Sequence, residues 1–306
     1  MDVSVIIVSY NTCELTRNCI CSVIEKTEDV DYEVIVVDNA SSDDSVEMIK
    51  ATFPQVKVIE EKNNWGFGKA NNIGAGKATG DYLFLLNSDT LLVNNAIKIL
   101  YEYMRSNPKT GICGGQLVDR DGHNINSYGP YPSVMRELAI ALFPAVWLNA
   151  KYEEFTTAKP LNRFISGADM MINRQHFNLM KGFDPDFFMY SEDVDLSLRF
   201  KRAGYSNCFV PEAVIIHLVN QSSKAEGKDV YINKWSYSEE RYSKFLLLHK
   251  FYGYSFVVLI YLIHIMKAGV ATFFFLLSGN IRKKNYWVKY ASIYKKQFQR
   301  YLCTKK

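Results

Sequence analysis

The N-terminal part of the sequence alternates between short Val/Ile/Leu runs and segments with helical periodicity, and no other feature restricts the fold more. Apolar runs of strand length occupy residues 3–8, 32–37 and 56–59, and helical spacing marks residues 15–24 and 46–49 between them. Continuous apolar strands joined by crossover helices are typical of the α/β class. We therefore predict a mostly parallel sheet with helices on both faces.

Polar residues follow the strands of this predicted sheet. In open α/β sheets, ligands bind beyond the carboxyl ends of the strands. We therefore expect four strand tips to line one crevice: Ser9-Tyr10-Asn11, residues 38–42, residues 63–68 and Asn87-Ser88-Asp89.

Composition sets the size of the core and the kind of surface. The 306 residues are 48% hydrophobic and 22% charged, which is enough to bury the core of one large or two small domains. Residues 251–306 contain ten Lys or Arg residues and no Asp or Glu, so the rest of the chain is net acidic. A basic tail rich in apolar and aromatic residues favours contact with an anionic membrane surface over binding of nucleic acid.

The six cysteines show no C-x-x-C pair and no histidine at zinc-finger spacing, so we expect reduced thiols and no structural zinc. The N-terminus passes directly into an apolar strand without the basic region and cleavage site of a signal peptide. We expect the body of the protein to lie in the cytoplasm.

Two common phosphate-binding motifs, the dinucleotide-binding turn and the P-loop, fit the sequence poorly. The first strand lacks the glycines of a dinucleotide-binding turn, and Gly66-x-Gly68-x-x-Asn71 follows the third strand without the final glycine. The sequence also contains no G-x-x-x-x-G-K-[S/T] motif. A nicotinamide-dependent sugar oxidoreductase remains a less favoured alternative.

Five motifs in order resemble those of family 2 glycosyltransferases, and the resemblance runs from about residue 3 to residue 218. It is most similar to the branch that includes bacterial rhamnosyltransferases, in which the third motif is Asn-x-Gly-Phe. It implies a GT-A fold and sugar transfer from a nucleotide diphosphate. The motifs are residues 4–11, residues 36–41, residues 64–74, residues 85–89 and Glu192-Asp193.

The resemblance assigns donor binding to several strand tips. Asp38 would accept a hydrogen bond from the imide N–H of uracil or thymine, which points to a UDP- or dTDP-sugar. The alternative is an Asp that caps a helix near Ser41-Ser42. Gly66 and Gly68 would allow close approach to the nucleotide, or would serve as turn glycines before a helix. The other expected contacts are Ser9, Tyr10, Asn71, Asn87, Ser88, Asp89 and Gly167.

Asp89 and His217 are the expected ligands of a divalent cation, Mg²⁺ or Mn²⁺. By resemblance, this cation neutralises the departing nucleotide diphosphate. The family motif is usually Asp-x-Asp, so Asn87 at its first position leaves one charged ligand in this loop. That departure keeps open a catalytically silent nucleotide-sugar-binding or membrane-scaffold protein, and His217 alone fits an ordinary structural histidine as well.

Glu192 and Asp193 lie in the first turn of a predicted helix. The resemblance makes Asp193 the general base for the acceptor hydroxyl and Glu192 a residue that binds or orients the acceptor, with inversion at the anomeric carbon. We expect the helix N-terminus to keep Asp193 ionised. The simpler interpretation is that these acids only complement the helix dipole. Trp65 and Tyr190 are further candidates for contact with sugar rings.

The C-terminal region has a different organisation. Apolar runs at residues 256–266 and 268–277 are separated by Lys267, which favours shallow or hairpin-like insertion as much as a spanning helix. The stripe Trp287, Tyr290, Tyr294, Phe298 and Tyr301 has helical spacing with basic residues between, which predicts an interfacial helix. A soluble core or a dimer surface is the alternative.

The whole pattern predicts a catalytic domain over residues 1–245 and a membrane-associated helical region over residues 246–306. We expect an inverting, metal-dependent transfer of a sugar, rhamnose from dTDP-rhamnose as first choice, to a lipid-linked saccharide in bacterial surface polysaccharide synthesis, at the cytoplasmic face of the membrane. Acceptor choice depends on residues 143–163 and 219–235, which carry no motif.

Overall fold

A computed structural model describes residues 1–142, 155–218 and 235–304. The chain divides into two compact units, and each is described by itself. Within the described residues, the first unit comprises residues 1–131, 155–188 and 192–218, and the second comprises residues 132–142, 189–191 and 235–304.

A mixed sheet forms the centre of the first unit. Its strand order is β3-β2-β1-β4-β10-β6-β11-β5, and β8 pairs with β11 beside this path. A short second ribbon joins β7 and β9. The strands are β1 (Val3–Ser9), β2 (Tyr32–Asp38), β3 (Lys57–Glu60), β4 (Tyr82–Asn87), β5 (Thr90–Leu92), β6 (Thr110–Val118), β7 (Tyr128–Pro130), β8 (Lys159–Leu161), β9 (Arg163–Ile165), β10 (Asp169–Asn173) and β11 (Ser206–His217).

The predicted β-α-β-α-β order is confirmed for the start of the chain. Strands β3, β2, β1 and β4 are parallel, and their register pairs Ser9 with Asp38 and Val8 with Asn87. Beyond β4 the sheet becomes mixed, because β10 runs antiparallel to both β4 and β6 and β11 runs antiparallel to β5. Direct antiparallel pairing needs no crossover helix, so the helical periodicity used for the first strands gives no signal there.

Helices cover both faces of this sheet, as the uninterrupted apolar strands predict. Alternate residues of β1 enter two separate buried clusters: Val5 and Ile7 lie in one, and Ile6 lies in the other. The helices of this unit are α1 (Cys13–Lys26), α2 (Ser45–Thr52), α3 (Phe67–Ala75), α4 (Ala96–Ser106), α6 (Arg174–Leu179) and α7 (Glu192–Arg202).

The second unit is helical within the described residues and contains α5 (Val134–Leu142), α8 (Trp235–Tyr252), α9 (Tyr254–Leu277) and α10 (Ile281–Thr304). The expected boundary at residue 245 falls inside α8. Phe245 packs on Tyr294 and Phe298 of α10, so it belongs to the helical unit. The two apolar runs around Lys267 form one continuous helix, α9. By length and composition α9 can cross a membrane, and a third of its apolar window is buried.

Three of the five residues in the aromatic stripe of α10 are buried against the neighbouring helices, so the prediction of a membrane-interfacial face is wrong for these three. Tyr290, Tyr294 and Tyr301 are at most 8% exposed. Phe298 stacks on Tyr261 of α9 with ring centroids 4.0 Å apart. Helical spacing of aromatic residues identifies one face of a helix, and the partner of that face comes from tertiary packing.

Candidate active site

The loops that follow β1 and β2 are tied together by hydrogen bonds. The backbone N–H of Asn11 donates to Ser41 Oγ at 2.9 Å, and Asn11 Oδ1 accepts from the N–H of Ser42 at 2.7 Å. Asn11 has a positive φ of 53°, which asparagine tolerates better than most residues. The strand tips that the sequence places at one edge are therefore joined directly.

A hydroxyl network lies beneath the tip of β4. Ser9 Oγ lies 2.9 Å from Thr16 Oγ1, and Thr12 Oγ1 lies 3.3 Å from Ser88 Oγ. Ser9 and Ser88 thus bond within the protein and position the loop that carries Asp89. Tyr10, in contrast, is 47% exposed and free to meet a ligand.

Asp38 has one satisfied and one unsatisfied carboxylate oxygen. Its Oδ2 accepts a hydrogen bond from the N–H of Ser41 at 3.0 Å, which closes a turn, and α2 begins only at Ser45. Its Oδ1 is buried and has no hydrogen-bond partner among the described residues. Buried carboxylate oxygens are rarely left without a donor. This oxygen is available to a donor outside the chain.

A pocket of about 400 Å³ adjoins Asp38 and is strongly acidic. Carboxylates repel phosphate groups, so this pocket suits an uncharged ring with N–H donors better than a phosphate. Its lining residues are Asp38, Ala40, Ser41, Ser42, Asp43, Asp44, Val46, Glu47, Glu60 and Glu61.

Packing within the protein explains both glycines of the 66–68 loop. Gly66 has φ +77°, and a Cβ there would lie 1.9 Å from the carbonyl oxygen of Phe188. A Cβ on Gly68 would lie 2.9 Å from Cβ of Phe183. Protein atoms therefore occupy the space beside these two Cα atoms, where a nucleotide was expected to approach. The positive φ of Gly66 fits its alternative role as a turn glycine.

Asn39 organises the same loop, although it is not one of the predicted site residues. Its Oδ1 accepts from the N–H of Trp65 at 2.9 Å, and its Nδ2 donates to Asn64 Oδ1 at 2.9 Å. The sequence signal for this role is the position of Asn39 directly after Asp38. Trp65 is itself covered by Lys69, whose Nζ lies 3.3 Å from the ring centroid.

Asn71 lies in α3 and is 1% exposed. Its Nδ2 donates to the carbonyl of Phe67 at 3.0 Å, and its Oδ1 has no partner among the described residues. The adjacent Asn72 binds both the N–H and the carbonyl of Phe183. Asn71 therefore keeps a free acceptor for a ligand, whereas Asn72 is structural.

Asp89, His217 and Asn87 meet where β4 and β11 end. Asp89 Oδ1 lies 3.2 Å from His217 Nε2, and Asn87 Nδ2 lies 3.4 Å from the same nitrogen. The N–H of Leu218 also donates to the carbonyl of Asp89 at 2.8 Å. A carboxylate oxygen and an imidazole nitrogen at this separation form a donor set that Mg²⁺ or Mn²⁺ accepts.

Asp193 lies in the first turn of α7 and is held by two backbone donors. Its Oδ2 accepts from the N–H of Gly167 at 3.2 Å, and its Oδ1 accepts from the N–H of Val194 at 2.8 Å. A Cβ on Gly167 would lie 3.3 Å from Cε1 of Phe67 and 3.5 Å from Cβ of Asp193, so the chain passes close to both side chains here. The neighbouring Ala168 accepts at its carbonyl from the N–H of Asn87 at 3.0 Å.

The electrostatics at this helix differ from the expectation. Burial raises the pKa of Asp193, although the N–H groups of Val194 and Gly167 oppose the rise. Burial and the adjacent Asp193 raise the pKa of Glu192 well above its usual value, and Glu192 Oε2 has no partner among the described residues. Burial therefore shifts the pKa of Asp193 in the direction opposite to the one expected from the helix N-terminus.

A second group of possible metal ligands, Asp119, Asp121 and His123, lies on an exposed turn. Asp119 Oδ1 accepts the backbone N–H groups of Asp121 and His123, both at 2.9 Å. These hydrogen bonds close the turn and account for the cluster.

The two segments expected to govern acceptor choice, residues 143–163 and 219–235, lie mainly outside the described residues, at 143–154 and 219–234. Tyr190, a candidate for contact with a sugar ring, precedes α7 with a positive φ of 69°, and so does Ser191. Two successive non-glycine residues with positive φ indicate backbone strain in the segment that precedes Glu192.

Comparison with known proteins agrees with this fold. Among solved structures, GalNAc-T7 with UDP, GalNAc and Mn²⁺ gives a TM-score of 0.54 at 19% identity, covering 71% of this chain and 44% of that chain. Staphylococcus aureus TarS gives 0.53 at 13% identity, covering 81% and 40%. These similarities establish the GT-A fold.

Sequence relatives are glycosyltransferases. The N-acetylglucosaminyl-diphospho-decaprenol L-rhamnosyltransferase of Mycobacterium tuberculosis is 29% identical over 204 residues, which is 60% of this chain and 66% of the relative, just under two thirds. The low-salt glycan biosynthesis hexosyltransferase Agl10 of Haloferax volcanii is 26% identical over 252 residues, covering 79% and 77%. Residues 4–179 match the sequence profile of glycosyl transferase family 2. The chain belongs to glycosyl transferase family 2.

Proposed function

We propose that this chain is an inverting, metal-dependent glycosyltransferase that moves a sugar from a nucleotide diphosphate to a lipid-linked saccharide. The observation that carries this proposal is a pair of hydrogen bonds through two consecutive residues. Gly167 donates to Asp193, and Ala168 accepts from Asn87, two residues before Asp89. The candidate base and the candidate leaving-group site are thereby fixed to the same stretch of backbone.

The proposed reaction uses the chain's own carboxylates for proton transfer. The acceptor hydroxyl oxygen attacks the anomeric carbon, and its proton passes to the carboxylate of Asp193. The bond from the anomeric carbon to the diphosphate oxygen breaks, and its electron pair leaves with the nucleotide diphosphate. Attack from the face opposite the leaving group inverts the anomeric centre without a covalent enzyme intermediate. Glu192, whose Oε2 has no partner among the described residues and whose pKa is raised by burial, would bind or orient the acceptor.

Asp89 and His217 would hold a divalent cation, with the Asn87 amide beside them. When bound, the cation supplies charge neutralisation at the leaving diphosphate. The fit rests on the donor types and on their 3.2 Å separation.

Asp38 Oδ1 supports a uracil or thymine nucleotide, because the imide N–H of either base supplies the donor that this buried oxygen lacks. Among UDP- and dTDP-sugars, we propose dTDP-rhamnose as the sugar donor, since the mycobacterial relative is named as an L-rhamnosyltransferase. The name of that relative also includes a diphospho-decaprenol, which supports a lipid-linked saccharide as acceptor. The apolar helix α9 supports attachment to a membrane. The cytoplasmic face and a role in surface polysaccharide synthesis are further parts of this proposal.

A panel of dTDP-, UDP- and GDP-sugars, assayed with Mn²⁺ and a membrane lipid extract as acceptor source, tests the proposal. We expect turnover of one dTDP- or UDP-sugar, and its loss in Asp89→Ala. Asp121→Asn, at an exposed turn carboxylate, is the matched control and should retain wild-type turnover. Donor binding without turnover in any arm would instead identify a silent nucleotide-sugar-binding protein.

A further inference from the structure

A groove runs between α9 and α10 in the second unit. It encloses about 720 Å³ and opens to the surface. Its lining residues are Ile265, Ala268, Gly269, Thr272, Phe273 and Leu276 of α9, and Val288, Ala291, Ser292, Lys295, Lys296 and Gln299 of α10. We call it the hairpin groove.

Small side chains create the space in this groove. A Cβ built on Gly269 meets no atom within 4 Å, so the middle of the groove is open. Ala268 and Thr272 on α9 and Ala291 on α10 also line it. The groove is therefore not filled by the chain's own side chains at its centre.

The two ends of the groove differ in polarity. The hairpin is antiparallel, because Tyr261 stacks on Phe298 and Lys267 lies 5.9 Å from the ring of Trp287. Lys295 and Lys296 therefore lie towards the Ile265 end. Phe273 and Leu276, which are 63% and 58% exposed, lie towards the tip of the hairpin.

Lys295 and Lys296 concentrate positive charge at one end of the groove, and the carboxylate that α8 brings to α10, Glu239, is paired with Arg300. Residues 251–306 contain no Asp or Glu, so neither α9 nor α10 offers a carboxylate. Among the described residues, Lys295 and Lys296 form no salt bridge. Paired ammonium groups beside apolar surface are complementary to a phosphate that carries a hydrocarbon chain.

We propose that the hairpin groove binds a phospholipid from an anionic bilayer, with one hydrocarbon chain along Gly269 and Phe273 and its phosphate at Lys295 and Lys296. The proposal commits to a bilayer lipid because the exposed apolar face of α9 continues beyond the groove, through Leu262, Met266 and Val270. It rests on the membrane attachment proposed above and adds a specific lipid site to it.

Gly269→Leu fills the groove and leaves the lysines unchanged. Because the position is helical and open, the variant should fold at least as well as wild type. Titration with dioctanoyl phosphatidic acid should show binding weakened at least tenfold. Val270→Leu, at the adjacent residue outside the groove, should bind as wild type does.

A second pair of variants tests the charge. Lys295→Glu with Lys296→Glu should weaken binding of phosphatidic acid at least tenfold and remove its preference over dioctanoyl phosphatidylcholine. Lys284→Glu with Lys289→Glu makes the same change in net charge outside the groove and should have less than a threefold effect. Equal losses in both double variants would overturn the site, because they would indicate a diffuse charge effect.

Three further results would also overturn the proposal. They are wild-type binding in Gly269→Leu, tenfold tighter binding of geranylgeranyl phosphate than of phosphatidic acid, and a lipid-independent dimer that Gly269→Leu abolishes. Binding to anionic vesicles separates this failure from failure of membrane attachment. Wild-type phosphatidic acid binding by Gly269→Leu, with vesicle binding intact, refutes only the groove, whereas absence of wild-type vesicle binding refutes the attachment. Sugar transfer to a soluble acceptor is independent of both.

Discussion

Asp89 Oδ1 lies 3.2 Å from His217 Nε2, and the backbone on both sides of this contact is fixed by sheet pairing. His217 pairs with Thr90 across β11 and β5, and Leu218 donates to the carbonyl of Asp89. The contact is therefore built into the edge of the sheet, and a divalent cation would find both ligands already in place.

Replacing His217 should weaken metal binding. In His217→Ala we expect the Kd for Mn²⁺ to rise roughly tenfold or more, because one of two expected ligands is lost. Electron paramagnetic resonance of free Mn²⁺ measures this directly. His123→Ala, in the exposed turn with Asp119, is the control. Equal Mn²⁺ affinity in wild type and His217→Ala would exclude His217 as a ligand.

Replacing Gly66 should destabilise the first unit by more than strain alone. In Gly66→Ala the new Cβ meets the carbonyl oxygen of Phe188, so we expect a loss of about 3 kcal/mol or more. Gly122→Ala also has a positive φ, but its Cβ meets no atom within 4 Å, so it should cost about 1–2 kcal/mol. Urea unfolding compares the two. Equal losses would show that backbone strain is the whole effect.

Glu33 is a structural carboxylate, and its contribution to the free energy of unfolding should depend on pH. Burial alone would raise its pKa, but hydrogen bonds from Lys57, Thr79 and Ser4 outweigh this and lower it to about 2. A lowered folded-state pKa adds stability above the unfolded value near 4.5, and this stability is lost as the pH falls towards 2. From this shift we expect a stabilisation of at most about 3 kcal/mol at neutral pH.

Glu33→Gln should therefore lower the free energy of unfolding at pH 7 by up to about 3 kcal/mol, and the difference from wild type should shrink as the pH falls below 4.5. Glu60→Gln is the matched control. It removes an exposed pair with Lys50 and should leave the free energy of unfolding close to that of wild type. A pH-independent difference for Glu33→Gln would contradict the assignment of its lowered pKa.

Much of the fold could be predicted from local patterns, because β1, β2 and β4 are continuous apolar runs that need no distant partner to be recognised. The antiparallel insertion of β10 between β4 and β6 could not, since it depends on pairing between distant segments. In the site, Asp89 and Asp193 stand at the ends of recognisable elements. Asn39 and Glu33 act through hydrogen bonds to remote loops, which leave no periodic signal.

The C-terminal region shows the same distinction. The spacing of aromatic residues in α10 is a local property and was predicted. The sequence left open whether the two apolar runs around Lys267 form one helix or a shallow or hairpin-like insertion, and the structure has one helix, α9. The buried face of α10 was not predicted, because Tyr294 and Phe298 contact residues of α8 and α9 that are distant in the sequence. Periodicity identifies a face but not what covers it.

The pH dependence of transfer should reflect the raised pKa of Asp193. Proton abstraction needs the carboxylate, so kcat/KM should fall as the pH drops through a value above the ordinary Asp pKa of about 4. A raised folded-state pKa also means that ionisation of Asp193 destabilises the fold. Asp193→Asn should thus gain stability relative to wild type as the pH rises from 4 to 7, in urea unfolding. An acid limb at or below pH 4 would contradict the pKa assignment.

The most direct test of the account is the single-turnover rate of sugar transfer by Asp193→Asn, measured beside the affinity for the donor. We predict that the rate falls by about 10²–10⁴, the usual contribution of a general base, while the Kd for the donor stays within roughly threefold of wild type. A transfer rate within tenfold of wild type, with donor binding intact, would contradict the assignment of Asp193 as the base.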